Sequence, residues 1–256
     1  MIITDQNWQV IPRQNGILPR YLSYGSTEAR THGLTPFADN LDALIPWDAM
    51  EERINEANEL RQMPMHYLEE SKAEPHNQGG TNYCWAYALV ECMEALRPME
   101  NQVYRRLGPA SLGWLVGWRN RGNFLSSAIK GAMERGIARS DLVPDGLYNP
   151  RDFGDGWQDD AMNHKPHEFT DTDRSSEKFM AQQCASLLVA GLPLYLAFNW
   201  WGHAIAGMGV VWDEREKYNL RWINWNSHGD GRIEMTGSRG VPDEAYAVRV
   251  TTVDAS

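Results

Sequence analysis

Cysteine is scarce in this sequence: Cys84, Cys92 and Cys184 are the only three in 256 residues. A small odd number gives no disulfide framework and suits a reducing compartment. The cytoplasm is the default expectation, and a virion or a signal-independent export route fits the same residues. Long apolar runs are also lacking. The longest, residues 187–198, is broken by Gly191 and Pro193 and is too short to span a bilayer, so no membrane association is expected. The opening Met1-Ile2-Ile3-Thr4-Asp5 has no basic region ahead of an apolar one, so no secretory leader is expected either. Basic charge is in deficit, with 24 Lys and Arg against 34 Asp and Glu and a net charge of −10. That balance argues against nucleic acid as a partner, because phosphate backbones select basic surfaces. There is no internal repeat and no low-complexity tract.

What is present is an ordinary globular composition, 42% hydrophobic and 23% charged, enough for a sizeable core. Residues 1–45 mix Pro, Gly, Thr and Asn without a sustained period and read as an irregular extension. Trp47, Met50, Ile54, Ala57 and Leu60 then recur at helical spacing, and Pro64 is expected to end that helix. A stronger pattern begins at Cys84: Trp85, Ala88, Leu89, Cys92, Met93 and Leu96 share one face, with Glu91 and Glu94 turned away and Arg97-Pro98 closing the helix. Shorter helices are expected over 109–118, 125–135 (with Gly136 as a C-terminal stop) and 175–190, with a loop over 141–173. The remainder reads as strands, 192–198, 204–212, 219–226, 232–236 and 245–251. Helices first and strands last imply an α+β architecture.

The segment Asn77-Gln78-Gly79-Gly80-Thr81-Asn82-Tyr83-Cys84-Trp85-Ala86-Tyr87 carries the most chemistry. A glycine-bearing loop delivers Cys84 to the first turn of a long amphipathic helix. Unpaired N–H groups and the positive end of the helix dipole favour a thiolate there, the reactive form of cysteine. The Gln78 amide, six residues earlier, is placed to meet an oxyanion beside the Cys84 backbone N–H. A nucleophilic cysteine needs a base, and the base needs a third group to orient it. His203 starts one expected strand and Asn226 ends the next; that they fill these roles is implied by a family resemblance alone. Asn224 shares a strand face with Asn226 and is a second choice for the orienting role. Cys92 and Cys184 lack such surroundings and read as core. His32, His66, His76, His164 and His167 have no evident partners, and no metal or cofactor is expected.

Residues 77–79 and 84–87 resemble papain-like cysteine peptidases, which place a glutamine six residues before the catalytic cysteine and Trp-Ala-aromatic after it. Gly202-His203-Ala204 resembles that family's histidine signature, and Asn226-Ser227-His228-Gly229 its Asn-Ser-Trp-Gly, with His228 in place of the tryptophan. Leu107 to Leu112 and Gly122-Asn123 resemble a helix start and a substrate wall of the same family, over about residues 70–250 in all. The resemblance implies a two-lobed fold, a helical lobe from the N-terminal half and an antiparallel β lobe from the C-terminal half, with the cleft between. It implies thiol-dependent hydrolysis of a peptide or protein substrate by Cys84, His203 and Asn226, with Gln78 in the oxyanion hole. Asn82, Tyr83, Gly122, Asn123, Trp201 and Gly202 fall where that family binds substrate, although glycines are lost at Asn82 and Asn123. Those losses keep open a second reading, a papain-like fold that binds or builds an assembly without useful turnover. Cell-wall amide hydrolysis is a third. Residues 70–256 form the expected peptidase domain, and residues 1–69 an extension: a removable pro-segment or a permanent arm for an assembly partner.

Overall fold

A computed structural model of the chain describes residues 1–18, 34–36, 44–117, 120–172 and 175–249. In chain order these form β1 (Ile2–Ile3), β2 (Leu34–Pro36), α1 (Met50–Glu59), α2 (Pro64–Glu70), α3 (Cys84–Met99), α4 (Pro109–Leu115) and α5 (Leu125–Arg135). There follow α6 (Trp157–Ala161), β3 (Phe169–Asp171), α7 (Glu177–Val189), β4 (Leu194–Phe198), β5 (His203–Trp212), β6 (Leu220–Asn226), β7 (Gly231–Met235) and β8 (Glu244–Val248). The strands make one sheet in the order β1-β7-β6-β5-β4-β8-β3-β2. The five C-terminal strands pair antiparallel, as the alternation of turns and apolar runs predicts. The sheet as a whole is mixed, because β1 adds parallel to β7 and β2 adds parallel to β3. Both parallel strands come from the extension expected to be irregular; two- and three-residue strands are too short to show a period.

The helix α3 packs against α2, α4 and α5 on one side and against β4, β5, β6 and β8 on the other. Every residue from Cys84 to Arg97 is consequently buried, including Glu91, Glu94 and Arg97. The expectation that Glu91 and Glu94 face water fails for this reason: a helix between two layers has no solvent face. The charge of Glu94 is absorbed by a buried network. His76 bridges Glu94 and Asp145 at 3.0 and 2.9 Å, Arg106 closes on Asp145 at 2.9 Å, and the Leu107 N–H donates to Glu94 at 2.6 Å. Burial works against a charge on His76, but the two carboxylates outweigh it and hold the imidazole up to about 10.

Other boundaries shift for local reasons. The first helix stops at Glu59 on its own, and Pro64 begins α2 at a position where a missing N–H costs nothing. Pro98 is accommodated in the last turn of α3, which runs on to Met99. The loop over 141–173 contains α6 and β3. The helix expected over 109–118 ends at Leu115, and Trp118 lies outside the described residues, as do positions 250 and 251 of the last expected strand. Gly136 does close α5, with φ +71°, and a Cβ there would fall 1.7 Å from the Ala161 carbonyl oxygen. Ile3, Ile17, Met50, Ile54, Met63 and Leu68, all from residues 1–69, are buried in the same core as the residues that follow. Gly209 of β5 lets α2 lie against the sheet, since a Cβ would meet the Met65 sulfur at 2.4 Å. Among the described residues, no helix is long and apolar enough to cross a membrane.

Candidate active site

Cys84 opens α3, and the loop ahead of it is clamped to the turn after β6. The Gln78 N–H donates to the Ser227 carbonyl at 2.7 Å, and the Ser227 hydroxyl donates to Gln78 Oε1 at 2.7 Å. Gln78 Nε2 in turn donates to the Thr81 carbonyl at 2.7 Å. The amide expected to face an oxyanion is therefore already engaged in holding its own loop. The Cys84 thiol is fully buried and accepts the Ala204 N–H at 3.3 Å. Burial pushes the thiol up to about 12; the N–H groups of Ala204, Trp85 and Cys84 itself pull it down by less. Cys92 and Cys184 are likewise buried free thiols.

His203, which opens β5, is the residue just before Ala204, the donor to the thiol. Its Nε2 lies 2.8 Å from Asn226 Oδ1, and Asn226 Nδ2 lies 2.9 Å from Asp230 Oδ1. A carboxylate only accepts hydrogen bonds, so Asp230 turns the amide of Asn226 and leaves its carbonyl oxygen for the histidine. The Nε2–H of His203 then donates to Asn226, and Nδ1, which has no partner, keeps its lone pair. Burial drives the imidazole down to about 3; Asn226 opposes this, and the neighbouring His228 adds to it. Trp201 and His228 are ring neighbours of His203, at 4.5 Å and at 5.2 Å with 23° between the latter planes. Of the two candidate asparagines it is Asn226 that faces the histidine; Asn224 is buried with its Nδ2 unpartnered.

The cleft is occupied by the chain's own N-terminus. After β1, Asp5 accepts the N–H groups of Ser238 and Arg239 at 3.1 and 3.0 Å. Trp8 then packs edge-on to Trp200, under the Arg239 guanidinium at 3.7 Å. Trp201 Nε1 donates to the Pro12 carbonyl at 3.2 Å, and the Gln14 N–H donates to the Trp201 carbonyl at 2.6 Å. Gly16 and Ile17 both donate to the Gly202 carbonyl, at 3.0 and 3.3 Å. Asn123 donates to the Gly16 carbonyl at 3.2 Å and accepts from Leu18 at 2.9 Å, a parallel pairing of Ile17 with Asn123. Gly122 is equally close, since a Cβ there would meet the Asn15 carbonyl at 2.6 Å. Gly16 rests on the Cys84 thiol: a Cβ at that position would lie 2.1 Å from Cys84 Sγ.

Gly122, Asn123, Trp201 and Gly202 are thus brought together along one cleft, in contact with residues 12–18. The other two expected wall residues make different contacts. Tyr83 turns its ring into the core, among Trp85, Tyr87 and Tyr148, because it precedes a helix buried on all sides. Asn82 is tied instead to Asn120, donating to its side-chain oxygen and to its carbonyl, both at 3.2 Å. Asp230's hold on Asn226, the clamp of Ser227 on Gln78 and the course of the arm were missed by reading along the chain. Pairing between residues over a hundred positions apart leaves no periodic signal. Among the described residues, no group of three His, Cys, Asp or Glu side chains could hold a metal ion.

No family model matches the chain, and no curated protein matches it by sequence. Solved structures do match. Xylellain, a cysteine protease from Xylella fastidiosa, is 17% identical, with a TM-score of 0.54 over 71% of this chain and 83% of that one. The digestive procathepsin L2 proteinase from Tenebrio molitor larval midgut is 13% identical, with a TM-score of 0.58 over 93% of this chain and 78% of its own. Bromelain from Ananas comosus, solved with the E64 inhibitor, is 16% identical with a TM-score of 0.51, over 70% of this chain and 94% of its own. At such identities the likeness is one of fold: the chain has the papain-like α+β fold, as the motif resemblance implies.

Proposed function

We propose that the protein is a thiol-dependent hydrolase of the cysteine-peptidase type, held latent by its own N-terminal arm. The observation that carries this reading is the relay Asp230–Asn226–His203, which leaves His203 Nδ1 unpartnered one residue before the N–H that meets the Cys84 thiol at a helix N-terminus. In the reaction, the Cys84 proton passes to His203 Nδ1 and the thiolate attacks the carbonyl carbon of a peptide or isopeptide bond. The oxyanion meets the Cys84 backbone N–H, with Gln78 beside it once its bond to Thr81 is exchanged for one to substrate. The imidazolium then protonates the leaving amine, and water releases the acyl group from sulfur.

With the arm seated, burial separates the pair in the wrong direction for an ion pair. The thiol is pushed up to about 12 and the imidazole down to about 3, so both stay neutral. Lifting residues 14–18 admits water, which stabilises thiolate and imidazolium together. The alignment with the digestive procathepsin spans 93% of this chain, more than residues 70–256 alone supply, which supports reading the extension as part of the device. Buried free thiols support a reducing compartment such as the cytoplasm. A peptide or protein is the substrate class, with no cofactor, nucleic acid or membrane required.

An epoxysuccinyl inhibitor should label Cys84 in the reduced, folded chain between pH 5 and 8, with no labelling in Cys84→Ala. Folded protein that resists the reagent even after displacement of the arm contradicts the proposal. A second reading, a binding or assembly component, is favoured by the stitching of β1 into the sheet and by the engaged Gln78 amide. It predicts that Cys84→Ala keeps full biological function.

A further inference from the structure

The turn after β6 holds His228 in one place. Gly229 donates to the His76 carbonyl at 2.9 Å, and His228 forms an antiparallel bridge with Asn77. Together with the Ser227–Gln78 pair, these contacts leave the His228 backbone little freedom. Its ring is half-buried and stacks against His203, while its Nε2 is buried with no hydrogen-bond partner. Covering the Asn226–His203 bond needs only a flat ring. A titratable ring does something more.

Resting on the Cys84–His203 reading above, we infer that His228 is a positioning residue whose own charge sets the acid limit of the nucleophile. When neutral, it braces the His203 ring and keeps water from the bond to Asn226. When protonated, it opposes the positive charge that His203 acquires from the Cys84 thiol. With 5.2 Å between ring centroids, two unit charges at interior-like screening lower the population of the thiolate–imidazolium pair on the order of tenfold to a hundredfold. The groups that bear on His228 are few. Asp230 in its own turn favours the charge, burial disfavours it more, and His203 on β5 loses by it. The facing loop contributes Asn77, which carries none, and His76, whose charge is turned to Glu94 and Asp145. With its imidazole held below the ordinary histidine range, His228 is neutral near pH 7 and charges as the medium turns acid.

The test follows the second-order rate of Cys84 alkylation by iodoacetamide from pH 4 to 8, resolved by peptide mapping, in full-length native protein, His228→Phe, His228→Gln and His203→Ala. At pH 5 His228→Phe should react about tenfold or more faster than native and should match it at pH 8, since it keeps the ring and loses the charge. His228→Gln should gain the same acid reactivity with a lower plateau, having lost the ring as well. A His228→Phe profile that superimposes on native, while His203→Ala still suppresses alkylation, overturns the role of His228 and leaves the thiol–imidazole reading intact. Native alkylation insensitive to His203→Ala overturns both. If the variants do not fold, NMR titration of the native imidazoles decides: coupled titration of His203 and His228 supports the inference, and independent titration overturns it.

Discussion

Gly16→Ala is the sharpest perturbation of the occupied cleft. The added methyl would fall 2.1 Å from Cys84 Sγ and 3.4 Å from its Cβ, so one side must give way. Cys84 sits in the first turn of a helix buried from Cys84 to Arg97, whereas residue 16 belongs to an arm held mainly by backbone hydrogen bonds. The arm is the side that moves. Its displacement sacrifices at least the bonds from Gly16 N–H to Gly202 and from Asn123 N–H to Gly16. At about 1 kcal/mol net each, their loss raises the open population roughly thirtyfold. Alkylation of Cys84 should accelerate by about that factor at pH 7, because a buried thiol reacts only through the open state. Cys92 and Cys184 are internal controls, being buried in the core. Gly80→Ala, where an added Cβ meets nothing within 4 Å, should leave the rate unchanged. Equal Cys84 rates in native and Gly16→Ala protein refute the reasoning. A parallel rise at all three cysteines refutes it as well, since that reports global loosening rather than release of the arm.

Three further outcomes rest on other parts of the structure. Glu91 is buried with neither carboxylate oxygen partnered, and burial holds its proton well above the ordinary carboxylate range. Above about pH 4.5 the unfolded chain releases that proton and the folded chain keeps it, so stability falls as pH rises, by up to about 1.4 kcal/mol per pH unit. Urea midpoints should therefore show a gain for Glu91→Gln that widens from pH 5 to 7; a constant difference rules this out. His76, raised to about 10, contributes stability that is complete below about pH 6.5 and lost as pH climbs toward 10. His76→Ala, which leaves Glu94 and Asp145 facing each other, should cost about 3–5 kcal/mol near neutrality, and a change under 1 kcal/mol would contradict the network. Asn226→Ala should slow Cys84 alkylation about tenfold, the equivalent of one lost hydrogen bond to His203, while Asn224→Ala should not. Equal effects of the two substitutions would place the orienting role elsewhere.

Much of the fold and part of the site were legible in the residues themselves. The helix starting at Cys84, the strands carrying His203 and Asn226, and the glycine that closes α5 are each marked by local features, a period or a stop. Local chemistry suffices there because backbone geometry places neighbours three, four or two positions apart. Where side chains point was less legible. Tyr83 and Glu91 look like surface residues beside a loop and on a polar helix face, and both are buried because a second layer arrives from elsewhere in the chain. Gln78 has the right amide at the right spacing, and only the approach of Ser227 and Thr81 shows that the amide is engaged.

The sequence by itself determined the class of fold, the places of Cys84, His203 and Asn226 at the ends of their own elements, and the absence of a disulfide framework. Each of these is set by composition or by spacing within a single element. The tertiary structure alone decided that Asn226 rather than Asn224 faces His203, because Asp230 turns its amide. It decided that His228 lies over His203, and that residues 12–18 fill the cleft with Gly16 against the thiol. Those arrangements join different strands and loops, 23 positions apart for His203 and Asn226 and far more for the arm and Gly202, and the contacts that fix them form only when the layers close.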